Sequence, residues 1–555
     1  MALRTLYQAL LDSDPARLRI IAMLWQITLK GTRKADMAAE LVDAMASAEA
    51  VARIWDALPE EQRAAIEDLL RTGGMQPWKI FTRRWGDVRT LGAGKVEREE
   101  LWRDPVSVTE ALWFHGLVHR AFHTTETRTI EMAFVPEELA LYMPLPQPIV
   151  LPDPEPLTPP QHVTQAGDSL AEDMVTLWIG ILLQRTGSTD LLHSLWRPST
   201  PDQRELLTVV GLEQGWLEQG PAKSIRLIPE AVMAWLRMDP WAQWSSLFRA
   251  WLESQRWNEL VHIPSLKPDP VHGWPDDLHL RARQFVVDEL KRFQPGKWYA
   301  LSTLVDHIRR ANPDFLRTDG DYESWAPRDA HSGVPLRGFE NWDAVEGALL
   351  DYLVTGPLFW VGCLNLGHDS ESGPAIAFQI TKAGAAWIHG APPPPCAAPK
   401  KLQFEHGTEV VVPRRHRYVR FQVSRIADPI SADGGYRFRF TPASLQRARR
   451  QRIPLSRILT FLKENLEHDG DLPRWLSAAI QRAYAGQPSP ALTLAWVLRV
   501  PDPAILDEPE IAALLGERLA PTVAIVPIEH RARLLYLLAK HGFLTGMEEP
   551  DLVDL

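Results

Sequence analysis

Guanidinium is the most concentrated chemistry in this sequence. Between Pro413 and Arg457 stand twelve arginines: Arg414, Arg415, Arg417, Arg420, Arg425, Arg437, Arg439, Arg447, Arg449, Arg450, Arg452 and Arg457. The same stretch has no lysine and only two acids, Asp428 and Asp433. Planar guanidinium forks pair bidentately with phosphate and stack on bases, which an ammonium does less well. Tyr418, Phe421, Tyr436, Phe438 and Phe440 are interleaved with them. On a strand, Arg437 and Arg439 share one face while Tyr436, Phe438 and Phe440 take the other. Such a segment suits a nucleic-acid backbone. It also suits an acidic partner or domain, or an aromatic core beneath a solvated basic face.

A second, smaller patch holds Arg83, Arg84, Arg89, Lys95 and Arg98 beside Asp87, Glu97, Glu99 and Glu100. In a wing loop, the Gly92-Ala93-Gly94 tip would let the backbone approach a phosphate closely. The candidate nucleic-acid contacts are therefore Arg414, Arg415, Arg417, Arg420, Arg437, Arg439, Arg447, Arg449, Arg450 and Arg452, joined by Arg83, Arg84 and Lys95.

Several other motifs lose their meaning in context. A phosphate-binding loop needs glycines, a lysine and a following hydroxyl. Leu91-Gly92-Ala93-Gly94-Lys95-Val96 has Arg89 in place of the leading Gly and Val96 in place of the hydroxyl. Asp507-Glu508-Pro509-Glu510 makes no helicase acidic box, so no ATPase motor is expected. Gly167-Asp168-Ser169-Leu170 and Asp190-Leu191-Leu192-His193 mimic hydrolase blocks, but the first follows a proline-rich stretch and reads as a helix start. His115, His119 and His123 have helical ligand spacing, yet Gly116 ends the helix and a strand follows. No catalytic group, metal or cofactor is expected. Most tryptophans, such as Trp241, Trp244, Trp251 and Trp257, recur with leucine at helical spacing and read as core.

The elements that must carry these side chains are divided by proline. The chain has 555 residues, 46 of them proline, with 60 basic against 70 acidic groups and a net charge of −10. That balance excludes a uniformly basic coat for DNA, and the length calls for roughly three or four domains. The arginine segment alone holds +10, leaving −20 for the remainder. Two cysteines cannot make a disulfide framework and suit a reducing cytoplasm. No signal peptide or membrane span is read. Proline-rich linkers at 144–160, 264–275 and 391–399 leave modules at 1–143, 161–263, 276–390 and 400–555.

Within the first module, Asp14-Pro15 signals a helix start. VTEALWFHG reads as a helix leading to a strand, and TRTIEMAFVP as the return strand turning at Pro136. The grammar is that of a winged helix, and 276–390 repeats it. Residues 161–263 read as helices with a wing at SIRLI. In the last module FEHGTEVVV and YVRFQVSRIA alternate like strands, and a helix starts at Thr441-Pro442. A strand–helix–strand–helix unit closes the chain. The expected class is mainly α with small β wings, tandem winged-helix-like modules, plus a C-terminal α/β region.

Specific phrases extend this reading. RRWGDVRTLGAGKVEREELWRDPVSVTEALWFHGLV, WLESQRWNEL, GKWYALSTLVDHIRRANPDFL, FTPASLQRARRQRIPLSRILTFL and LAPTVAIV are spread over most of the chain. Their pattern and order resemble bacterial proteins carrying the accessory N-terminal region of XPB-type DNA repair helicases. The resemblance implies nucleic-acid binding, of DNA, by a helicase-associated protein without a motor of its own. The other reading is a scaffold that docks a helicase or nuclease partner without touching DNA.

Overall fold

The computed structural model describes residues 4–124, 129–147, 152–184, 199–274, 276–396, 400–405, 407–432, 434–466, 472–488, 490 and 495–546. About half of the described residues are helical, and the sheets are small and antiparallel. No helix among the described residues is long and apolar enough to cross a membrane. The chain forms two compact units, Met1–Phe440 with Thr460–Gly470, and Thr441–Leu459 with Asp471–Leu555. The division falls at Phe440, inside the segment expected to be one module, while the three proline-rich stretches belong to the first unit.

The first unit opens on four helices, Leu6–Leu11, Pro15–Leu24, Lys34–Met45 and Ala48–Ala57. Pro15 takes the first helical position and the Asp14 carboxylate accepts from the Arg17 amide at 2.9 Å, so the expected start is in place. The order then runs helix Glu60–Arg71, strand Met75–Pro77, helices Trp78–Trp85 and Val108–Phe114, and the hairpin His119–Thr124 with Thr129–Phe134. The third strand lies between the first and the second. Gly116 ends the helix at φ +66, where a Cβ would meet Ile21 Cδ1 at 2.8 Å. Leu18, Ile21, Trp25, Leu41, Phe81, Leu112 and Val135 lie in the core beneath.

The same order returns further on: helix Leu278–Glu289, strand Trp298–Ala300, helix Leu301–Ala311, helices Ala348–Thr355 and Pro357–Trp360, and the hairpin Leu364–His368 with Ala375–Ile380. The third strand again lies between the other two, and His162–Thr164 adds an edge strand. That strand explains why the described residues 152–160 are not a loose spacer. Prolines hold the chain extended, Leu157 N donates to Trp298 O at 2.7 Å, and Pro160 packs over Gly367. Leu266–Lys267, in the second proline-rich stretch, likewise pairs with Arg328–Asp329. Between these two modules, Leu217–Gln219 and Ile225–Leu227 form the expected small hairpin. Trp178, Trp216 and Trp235 meet edge to face nearby.

Two expectations for the last segment need correction. YVRFQVS is a helix, Arg417–Ser424, set among strands Gln403–Phe404, Glu409–Val412, Asp428–Ser431 and Tyr436–Arg439. The alternation of Val419, Phe421 and Val423 imitates a strand. The side chains that decide the matter are Arg417 and Arg420, three residues apart on one helical face. In the second unit the closing strand–helix–strand–helix order has a further strand, Arg518–Ala520, and its sheet is antiparallel throughout. Its order is helix Arg474–Ala485, strand Trp496–Arg499, helices Ala504–Asp507 and Pro509–Ala512, and the hairpin Arg518–Ala520 with Val523–Val526. Here too the third strand sits between the first and second. Leu498, Ile511, Ala524 and Leu537 make up part of its core.

Candidate nucleic-acid interface

The structure sorts the candidate cations into neutralised and open groups. Arg417 and Arg420, on the helix Arg417–Ser424, are buried. Arg417 reaches Asp168 Oδ2 at 2.5 Å and Glu172 Oε1 at 2.8 Å, and donates to Gln243 Oε1 at 2.9 Å. Arg420 meets Glu172 Oε2 at 3.0 Å, donates to Thr176 Oγ1 at 2.6 Å, and lies 3.6 Å over the Tyr436 ring. Both are withdrawn from the surface, because a buried guanidinium requires a counter-ion and full hydrogen bonding. Arg415, in the left-handed region at φ +70, joins Asp168 at 2.9 Å, and its amide donates to Glu172 Oε1 at 3.1 Å.

The acids at the centre of this network went unrecognised in the sequence. Asp168 and Glu172 stand immediately before and within the helix Ser169–Gln184. Asp168 belongs to the GDSL string, whose expected helix-start reading holds, since Ala171 N donates to its carbonyl. The signal was present as two acids four residues apart, i and i+4, matched to Arg417 and Arg420. The DLLH string lies outside the described residues.

Arg437 and Arg439 do lie on one face of the strand Tyr436–Arg439, with Tyr436 and Phe438 buried on the other. Arg437 pairs with Glu405, and Arg439 reaches Glu409 at 2.5 Å. Exposed pairs of this kind are weak and yield to salt, at about 0–1 kcal/mol each. Arg414 is exposed.

The second patch is mostly spent on the fold. Arg83 forks onto Asp314 at 2.8 and 2.5 Å and lies 4.4 Å over the Phe339 ring. Arg84 pairs with Asp68 at 2.9 Å, and Arg89 with the buried Glu110 at 2.7 Å. The Gly-Ala-Gly string is no wing tip. Gly92 caps the short helix Ala93–Arg98, which lies between two helices of the first module. Lys95 on it is exposed. His115 sits at the end of its helix and His119 and His123 on the following strand, as the Gly116 break requires. Among the described residues, no three His, Cys, Asp or Glu side chains assemble a metal-binding group.

The second unit differs. Its helix Pro442–Arg450 starts as expected, with a capping box in which Ser444 N donates to Thr441 Oγ1 and Thr441 N to Ser444 Oγ, both at 3.0 Å. Arg447 is buried in this helix, so it leaves the candidate surface. Arg449, Arg450, Arg452 and Arg457 are exposed, and among the described residues no acid pairs with them. Arg449 donates only to the carbonyl of Ala485, at 3.4 Å. Over 441–459 and 472–488 the sequence holds seven arginines and no acid. The last turn of Pro442–Arg450 therefore carries concentrated positive charge where the helix dipole favours it. Such an arrangement can hold several phosphates at once. No protein-family model matches the chain, and no curated protein does.

Proposed function

We propose that the chain binds nucleic acid, namely DNA, through the exposed arginines of its second unit, as a helicase-associated protein with no motor of its own. The observation that carries this is the acid-free stretch with Arg449, Arg450, Arg452 and Arg457 in solvent. Four exposed guanidiniums with no acid partner among the described residues, held in folded structure, form a phosphate site without prior loss of ion pairs. The resemblance to the accessory region of XPB-type helicases supports the same reading.

The helix–strand–helix–helix–hairpin order, with the third strand central, supports winged-helix modules. In that fold the third helix would ordinarily enter the major groove. Here Val108–Phe114, Ala348–Thr355 and Pro509–Ala512 carry no lysine or arginine, and the first two are largely buried. The modules accordingly act as a frame, and the grip lies on Pro442–Arg450 and the residues after it. The scaffold reading keeps one observation in its favour. In the second unit Val497, Leu519, Ile528 and Tyr536 are exposed, which suits a protein partner.

The test compares binding of duplex, forked and single-stranded DNA by the intact chain and by a variant with Arg449, Arg450, Arg452 and Arg457 changed to Ala. The variant should lose at least about tenfold in affinity, four charge-assisted contacts being removed. Unchanged binding would transfer the function to the scaffold reading.

A further inference from the structure

The sequence holds 22 tryptophans, and among the described ones Trp475 alone is exposed, at 55%. It is the second residue of the helix Arg474–Ala485. That helix buries Leu476, Ile480 and Ala483 on one face. Trp475, Ala478, Ala479 and Arg482, spaced i, i+3, i+4 and i+7, are all exposed and form another face. The two alanines carry nothing beyond Cβ, so the indole and Arg482 bound a shallow strip about 10 Å long. Arg474 adjoins the indole in sequence.

The helix Pro442–Arg450 is fastened to the other end of this strip. Gln446 Nε2 donates to Ala483 O at 2.6 Å and Tyr484 O at 3.1 Å, and Arg449 donates to Ala485 O. Arg450 and Arg452 follow directly. A lone aromatic ring in water thus stands on the same helix pair as the acid-free arginines. An acidic peptide would satisfy the cations but offers a flat ring only at an occasional aromatic residue, not at every unit of its chain. A duplex offers phosphates, but its bases already stack on one another. An unpaired strand offers both phosphates and open base faces.

We propose that this helix pair binds single-stranded nucleic acid, with an unpaired base stacked on Trp475 and adjacent phosphates held by Arg474, Arg482, Arg449, Arg450 and Arg452. The proposal rests on the nucleic-acid reading above and adds the strand form. Fluorescence anisotropy of labelled oligo(dT), and of a duplex of equal length, tests it on the intact chain. W475A should weaken oligo(dT) binding about 5- to 150-fold, W475F by less, and duplex binding should change by under about twofold. Trp475 is exposed, so far-ultraviolet circular dichroism and the melting temperature should match those of the unaltered chain. W475A binding oligo(dT) as tightly as the unaltered chain overturns the stacking site. If the R449A/R450A/R452A variant then loses both ligands, the nucleic-acid reading survives alone. Absence of binding to either form at low salt overturns both.

Discussion

Arg420 and Arg450 belong to one basic run, yet Arg420 is buried against Glu172 and Arg450 stands in solvent. Residue type and spacing revealed the run but could not separate the two, because Asp168 and Glu172 lie some 250 residues earlier in the chain. The difference predicts opposite phenotypes. Glu172→Gln leaves the buried Arg420 without its acid, while Arg417 keeps Asp168, and should cost about 3–5 kcal/mol, read as a lower urea midpoint. Arg450→Ala should leave stability within about 0.5 kcal/mol and lower nucleic-acid affinity.

Buried histidines make the stability depend on pH. Burial holds the His119 imidazole well below its usual range, the Arg17 charge adds to this, and Nε2 meets Gly116 O at 2.9 Å. The unfolded chain therefore takes up that proton first. Stability is complete above about pH 6.5 and declines as pH falls below it, by up to about 1.4 kcal/mol per pH unit for one such group. His115, His279, His307 and His416 are lowered by burial in the same direction. His119→Asn should thus reduce the acid slope of unfolding free energy without abolishing it. An unaltered slope would contradict the assignment.

At the scale of elements, local signals were dependable where the backbone itself imposes them. Asp14-Pro15, Gly116 and Thr441-Pro442 mark real boundaries because a cap, a left-handed turn and a fixed φ act within a few residues. Thr441→Ala removes the capping box and should destabilise the helix Pro442–Arg450 by about 1 kcal/mol, measured by unfolding of the second unit. Hydrophobic alternation misled at Arg417–Ser424, where a buried ion pair outweighs a two-residue apolar period. A proline-rich stretch does not imply a free one. Leu157 and His162–Thr164 join a sheet through partners more than 100 residues away.

For the whole molecule, the repeated grammar of the first and third segments was legible in the sequence. Its third appearance, at the C-terminus, reads in the sequence as a strand–helix–strand–helix unit, because nothing there marks Arg518–Ala520 as a strand separate from Val523–Val526. The net charge of −10 hides a division of labour. In the first unit, acids neutralise Arg415, Arg417, Arg420, Arg437 and Arg439. In the second, seven arginines occupy two acid-free stretches. The salt dependence of binding distinguishes the neutralised arginines from the open ones. For the unaltered chain the logarithm of affinity should fall linearly with the logarithm of salt concentration. Changing Arg449, Arg450, Arg452 and Arg457 to Ala should reduce that slope by about three to four, as four phosphate contacts require. Equal slopes for the two proteins, or no binding at low salt, would contradict that division.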